Sequence, residues 1–238
     1  ENIRDIAKQL DRKYISYAIE QPADYQAANI QTNGAGISFD VMHGKENLGH
    51  VVLNIPGRHN VLDAMAAIVV GLSIGVSVEQ MAAGLACFHG AKRRFQTKGK
   101  VKDVWVVDDY AHHPTEIATT VLGAKQTKPK RLICAFQPHR YTRTQLLHKD
   151  FGAAFRQADI LVLTDIYAAG EAPISGVSGQ LIVDEVLQQT GQQVVYIPQR
   201  EEIAAYLQSI AAPGDLIMTM GAGDIYKTGE ELVALLQK

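Results

Sequence analysis

From Val104 to Lys238 the chain alternates short apolar runs with helical stretches, and few patterns restrict a fold so tightly. Val104–Val107 is followed by Pro114, a residue favoured in the first turn of a helix. Leu132–Phe136 leads to a helix whose cap is expected at Thr142-Arg143-Thr144-Gln145. Ile160–Thr164 leads to a helix that starts near Ser178 and stops at Gly191. Val194–Ile197 runs into Glu201–Ala211, and Leu216–Met220 into the last helix. Five strand–helix units in succession predict an α/β fold with a Rossmann-like, doubly wound parallel sheet.

The first sixty residues follow a different grammar and read as short strands. Gly36–His43 alternates, with Ile37, Phe39 and Val41 expected inside. A turn at His43–Asn47 sends Leu48–Asn54 back, with Val51 and Leu53 on one face and Leu48, Val52 and Asn54 on the other. After Pro56-Gly57, Asn60 is the expected N-cap of a helix that ends near Gly75. Its Ala64–Leu72 segment is apolar on nearly every face, which predicts burial on all sides. Ser77-Val78-Glu79-Gln80 has the form of a capping box and opens a second helix running to about Phe88. These elements read as a mixed hairpin and helix region that looks too small to cover the first of these helices on all sides. The polar run Lys92–Lys100 joins the halves, and the expected domains are 1–97 and 98–238.

Charge and cysteine content narrow the functional classes. The 23 Lys and Arg against 25 Asp and Glu leave a net charge of −2, which argues against a duplex nucleic acid or an anionic membrane as partner. The uncharged run Ala64–Val78 is shorter than the ~20 residues a membrane span needs. Cys87 and Cys134 make no disulfide framework, so a reducing, cytoplasmic setting is expected.

In an open parallel sheet, ligands bind beyond the carboxyl ends of the strands. That rule selects the loops Asp108–Pro114, Gln137–Arg143, Asp165–Ser178 and Gly221–Asp224. Arg140 and Arg143 bracket a helix start, where cations oppose the helix dipole. Two guanidiniums beside free amides would make a receptor for a carboxylate or phosphate; the alternative is a surface pair neutralised by acidic neighbours. Asp108, Asp109, His112 and His113 offer a metal site, hydrogen bonds to sugar hydroxyls and a charged substrate, or a strand end with His113 capping the helix. Gly221-Ala222-Gly223-Asp224-Ile225-Tyr226 lacks the third glycine of a dinucleotide fingerprint and reads as a tight strand-to-helix turn.

Gly57-Arg58-His59-Asn60-Val61-Leu62-Asp63-Ala64, Arg93-Arg94-Phe95, Asp108 through Glu116 and Phe136 through Thr144 occur in this order. In that combination the chain resembles the Mur ligases of peptidoglycan synthesis. Tyr167 through Pro173 and the closing Gly221–Ile225 extend the likeness. The resemblance implies a three-domain, ATP-dependent amide (C–N) ligase. This chain is similar to the end of its P-loop-type central ATP-binding domain (1–97), as a mixed hairpin and helix remnant, and to its whole amino-acid-binding, Rossmann-like domain (98–238). ATP and magnesium are the implied cofactors, with the magnesium ligands expected outside this chain. UDP-N-acetylmuramate and L-alanine are the implied partners, because the histidine pair and the His139–Arg143 segment look like the alanine-adding branch.

Residue by residue, the same likeness implies that His59, Asn60 and Asp63 contact adenine and ribose. Arg94 would reach the γ-phosphate, and Asp109 would serve a ribose hydroxyl or domain closure. Tyr110, His112, Arg140 and Arg143 would form the amino-acid site. His112 and Arg94 are the candidate catalytic groups, and no metal ligand is assigned. The chain carries no G-x-x-x-x-G-K-[ST] phosphate loop, so by itself it is expected to be inactive. A ligase that recycles murein tripeptide is the alternative within the family. A stand-alone nucleotide- or metabolite-binding module is the alternative outside it.

Overall fold

In the computed structural model, which describes residues 2–7 and 9–238, the chain divides into two units, Glu1–His89 and Gly90–Lys238. The division falls ahead of the boundary expected after residue 97. The polar linker is itself a strand of the second unit: β5 (Gln96–Val101) pairs antiparallel with β6 (Val104–Asp109). Its charged residues suit an edge position, where Lys98 pairs with Glu230 at 2.9 Å.

The first unit opens with helix α1 (Asn2–Ala7), where short strands were expected. Strands β1 (Tyr17–Ala18), β2 (Tyr25–Asn33), β3 (Gly36–His43) and β4 (Glu46–Leu53) then form one sheet in chain order. The β3–β4 hairpin buries Ile37, Phe39, Val41, Val51 and Leu53, as the alternation required. Helix α2 (Arg58–Ser73) packs Val61, Ala64, Met65 and Ile68 into this core. Its cap is Gly57, not Asn60, and no side chain caps it. The Asn60 carboxamide instead donates to the Pro56 carbonyl at 2.7 Å. All-round burial of α2 is not observed either: Val70 is 61% exposed, because the sheet covers one face of the helix. Ser77 and Gln80 do form a reciprocal capping box at the start of α3 (Val78–Ala86).

The second unit has the sheet order β5-β6-β10-β7-β8-β9, with β7 (Arg131–Phe136), β8 (Ile160–Leu163), β9 (Val194–Tyr196) and β10 (Asp215–Met220). All pairs from β6 to β9 across the sheet are parallel. Helices α4 (Pro114–Gln126), α5 (Tyr141–Phe151) and α6 (Gln180–Thr190) share one core with Val107, Cys134, Phe136, Leu163 and Met218. Helices α7 (Arg200–Ile210) and α8 (Tyr226–Gln237) share the other with Val106, Ile133, Val162 and Ile217. Neighbouring strand residues therefore feed opposite layers, which is the doubly wound arrangement. Among the described residues no helix is long and apolar enough to cross a membrane.

Candidate functional site

Strand β10 enters last and lies between β6 and β7, so the chain leaves adjacent strand ends toward opposite layers. The three ends are level, since Met220 is paired with both Asp109 and Phe136. A crevice at such a switch point is where open α/β sheets bind ligands.

The two aspartates that end β6 point to different tasks. Asp108 is buried and accepts from Arg93 Nε at 2.9 Å and Thr219 Oγ1 at 2.8 Å. Asp109 accepts the Phe95 N–H through Oδ2 and the Ala111 N–H through Oδ1, both at 2.8 Å. Each Asp109 oxygen thus rests on a backbone amide and keeps further acceptor capacity. Burial raises both carboxyls above the ordinary 3.8, against the opposing pull of these hydrogen bonds. Such groups stabilise the fold most below the unfolded value and lose that contribution as pH rises through the folded one.

Asp109→Asn replaces an acceptor oxygen with an NH2 group that faces a backbone N–H. The expected cost at neutral pH is about 1–3 kcal/mol, with a shallower decline above the unfolded carboxyl value. Urea unfolding followed at the sole tryptophan, Trp105 in β6, reads this unit alone.

Past Asp109, the loop turns into α4 at Pro114, with His113 as N-cap and Glu116 closing a capping box. That gives His113 the capping role and aims His112 elsewhere. His112 Nδ1 lies 2.9 Å from the Tyr110 carbonyl, which can only accept. In the neutral ring Nδ1 therefore holds the proton and Nε2 presents a lone pair. Among the described residues no group of three His, Cys, Asp or Glu side chains converges to hold a metal ion.

The opposite wall is the loop after β7. Helix α5 starts at Tyr141, earlier than the cap expected at Thr142, with Arg140 as N-cap at φ 72° and no side-chain cap of its own. Glu171, from the loop after β8, supplies that cap by accepting the Thr142 N–H at 3.0 Å and its hydroxyl at 2.7 Å. Those bonds hold the Glu171 carboxyl below its ordinary value. The Thr142 amide, one of those expected to be open to an outside anion, is thus served by the protein's own carboxylate. Arg143 donates to His139 Nδ1 at 3.0 Å and to the His139 carbonyl at 3.2 Å. Arg140 is half exposed and 3.9 Å from Glu171, leaving its guanidinium available at the mouth.

Rings join the two walls. Tyr110 meets His112 edge-on at 5.4 Å, His112 lies 5.9 Å from His139, and His139 stacks on Tyr167 at 5.8 Å. Arg94 is exposed with its guanidinium 5.8 Å above the Tyr110 ring. Burial first, and then Arg143, holds the His139 imidazole below its ordinary value, so it stays neutral. The structure therefore gathers Arg94, Tyr110, His112, Arg140 and Arg143 in one unit. His139, Tyr167 and Glu171 complete the group. Spacing alone could not assign them, because their contacts come from a bridge between two loops, His139 to Tyr167.

In the first unit, His59, Asn60 and Asp63 occupy the first two turns of α2, with His59 and Asp63 four residues apart on one face. The Asn60 amide lies 3.2 Å from His59 Nε2. Gly57 has φ 104°, a conformation that favours glycine, and a Cβ there would sit 2.5 Å from the His59 ring. An imidazole, a carboxamide and an exposed carboxylate form a donor and acceptor set suited to a base edge and a ribose.

Residues 93–223 match the Mur ligase glutamate ligase domain, and residues 1–71 match the Mur ligase middle domain. A UDP-N-acetylmuramate–L-alanine ligase of Pelotomaculum thermopropionicum is 47% identical over 99% of this chain and 51% of its own length. The crystal structure of a UDP-N-acetylmuramate–alanine ligase from Thermotoga maritima superposes with a TM-score of 0.78 at 25% identity, covering 94% of this chain and 48% of that one. A murein peptide ligase from Psychrobacter arcticus gives 0.60 at 27% identity, over 92% and 45%. The chain spans about half the length of the curated relatives it matches.

Proposed function

Because the chain belongs to the Mur ligase family, we propose that it carries the amino-acid subsite and part of the nucleotide subsite of an ATP-dependent ligase that joins L-alanine to UDP-N-acetylmuramate. The observation that carries this reading is the convergence of Arg140, His112, Tyr110 and the His139–Arg143 pair at the switch point. ATP, when bound, supplies the phosphoryl group that turns the lactyl carboxylate into an acyl phosphate. Arg140 then grips the carboxylate of alanine through charge-assisted hydrogen bonds, and Arg143 holds His139 against the same wall. His112 Nε2 takes one proton from the ammonium, leaving a neutral amine that attacks the acyl carbon, and the departing phosphate carries off the second proton as the C–O bond breaks and the amide forms. Arg94 faces the leaving phosphate, and His59, Asn60 and Asp63 hold adenine and ribose. Asp109 is the candidate for a ribose hydroxyl, and through its bond to the Phe95 N–H it also fixes the backbone next to Arg94. An ATP-consuming synthesis of this kind belongs in the cytoplasm.

The 47% identity over 99% of the chain favours alanine over tripeptide as the amine. The polypeptide assayed at full length should release phosphate only when ATP, UDP-N-acetylmuramate and L-alanine are all present. Equal release without alanine would overturn the reading. Preference for a murein tripeptide would move the protein to the recycling branch, and ATP binding without turnover would favour a binding module.

A further inference from the structure

Arg93 has no part in the reaction outlined above, yet it is among the most heavily engaged side chains at the crevice. Its backbone is left-handed, φ 58°, a conformation that costs a non-glycine residue roughly 1–2 kcal/mol. Nε donates to the buried Asp108 carboxylate at 2.9 Å, Nη1 to the Gly223 carbonyl at 3.1 Å and Nη2 to the Gly221 carbonyl. The guanidinium also lies between two tyrosine rings, 4.9 Å from the centroid of Tyr110 and 4.9 Å from that of Tyr226. The Arg93 carbonyl accepts the Tyr110 N–H at 2.6 Å. One residue thus fixes both the backbone and the ring of Tyr110, and Tyr110 in turn abuts His112.

We propose that Arg93 is a positioning residue for the amino-acid subsite, holding Tyr110 and through it His112 against the turn that follows β10. The proposal rests on the ligase reading above. A planar fork can serve three acceptors and two rings together, whereas a lysine ammonium is a single point charge on a flexible stem. Strain kept at a residue with three guanidinium hydrogen bonds beside a ligand crevice is the pattern expected where geometry matters to function.

The test uses the full-length enzyme with Arg93→Lys, Arg93→Gln and Tyr226→Leu. Both Arg93 variants should raise the KM for L-alanine at least about tenfold while the KM for ATP changes by less than about twofold. Lysine should not rescue. Tyr226→Leu keeps every Arg93 hydrogen bond and removes the ring behind it, which also meets the Lys98 ammonium at 5.6 Å. It should raise the alanine KM a few-fold, and in combination with Arg93→Lys it should add little. If the Arg93 variants do not fold, Tyr226→Leu decides the matter by itself. An unchanged alanine KM, with only a lower unfolding midpoint at Trp105, would overturn the proposal and leave Arg93 a structural clasp. Absence of alanine-dependent turnover in the unaltered enzyme would instead overturn the ligase reading.

Discussion

Arg140→Ala is expected to raise the KM for L-alanine by roughly 10–100-fold, the loss of a hydrogen bond to a charged group worth about 1.5–3 kcal/mol. The KM for ATP should stay within about twofold, because Arg140 touches no group proposed to bind nucleotide. The prediction depends on a division of labour between the two arginines. Arg143 is spent on His139, while Arg140 is half exposed with a carboxylate no nearer than 3.9 Å. Arg143→Ala should therefore act differently. Removing the guanidinium takes away a cause that holds the His139 imidazole low, and the ring should titrate closer to its ordinary 6.5. A histidine held neutral in the fold lowers stability as pH falls through the unfolded value, so this variant should lose less stability on acidification. Steady-state kinetics over a range of alanine concentrations, together with a pH series of unfolding midpoints, separates the two. An unchanged alanine KM in Arg140→Ala would remove the carboxylate receptor from the proposal.

The sheet of the second unit was legible because its apolar runs alternate regularly with helical stretches, several of them closed by a cap or a glycine. Gly191, for example, ends α6 in the left-handed conformation at φ 64°. The crevice was legible for a topological reason: strand ends of an open parallel sheet face one edge, whatever their side chains. What eluded the sequence were contacts between loops. Glu171 caps a helix 29 residues away in the chain, and His139 stacks on Tyr167. Neither carries a local spacing signal. The misread strand β5 has a related cause. Gln96–Val101 is polar because it lies at an edge, so its composition resembles a linker while its hydrogen bonds belong to the sheet. The helix start at Arg58 was missed for the opposite reason: Asn60 has the right chemistry for a cap but donates to the carbonyl of Pro56. A good local cap lost to a nearer partner.

Gly221→Ala should destabilise the second unit by about 3–5 kcal/mol, through strain at positive φ and overpacking together. Gly221 follows β10 directly with φ 146°, and a Cβ there would lie 2.6 Å from the Gln137 carbonyl oxygen and 3.3 Å from Ile225 Cγ2. The nearest obstacle is backbone, so no rotamer change relieves it. Relaxation requires the β10 turn to move away from β7. That motion would strain the bond from Gln137 N–H to the Met220 carbonyl, 3.0 Å, and the bond from Gly221 N–H to the Asp109 carbonyl, 3.2 Å. Gly191→Ala in the same unit supplies the control. It has positive φ but nothing within 4 Å of the added carbon, so it should cost only about 1–2 kcal/mol. Both variants can be compared by urea unfolding at Trp105. Equal losses would mean that the close approach at Gly221 carries no energy of its own. A larger loss at Gly221 would tie the stability of the fold to the level strand ends on which the crevice is built. Arg140 reaches the mouth of that crevice from Gln137 by way of only Pro138 and His139, and Arg93 is bonded to the Gly221 carbonyl. The surviving folded fraction of Gly221→Ala should then also bind alanine more weakly, because the same displacement moves both walls.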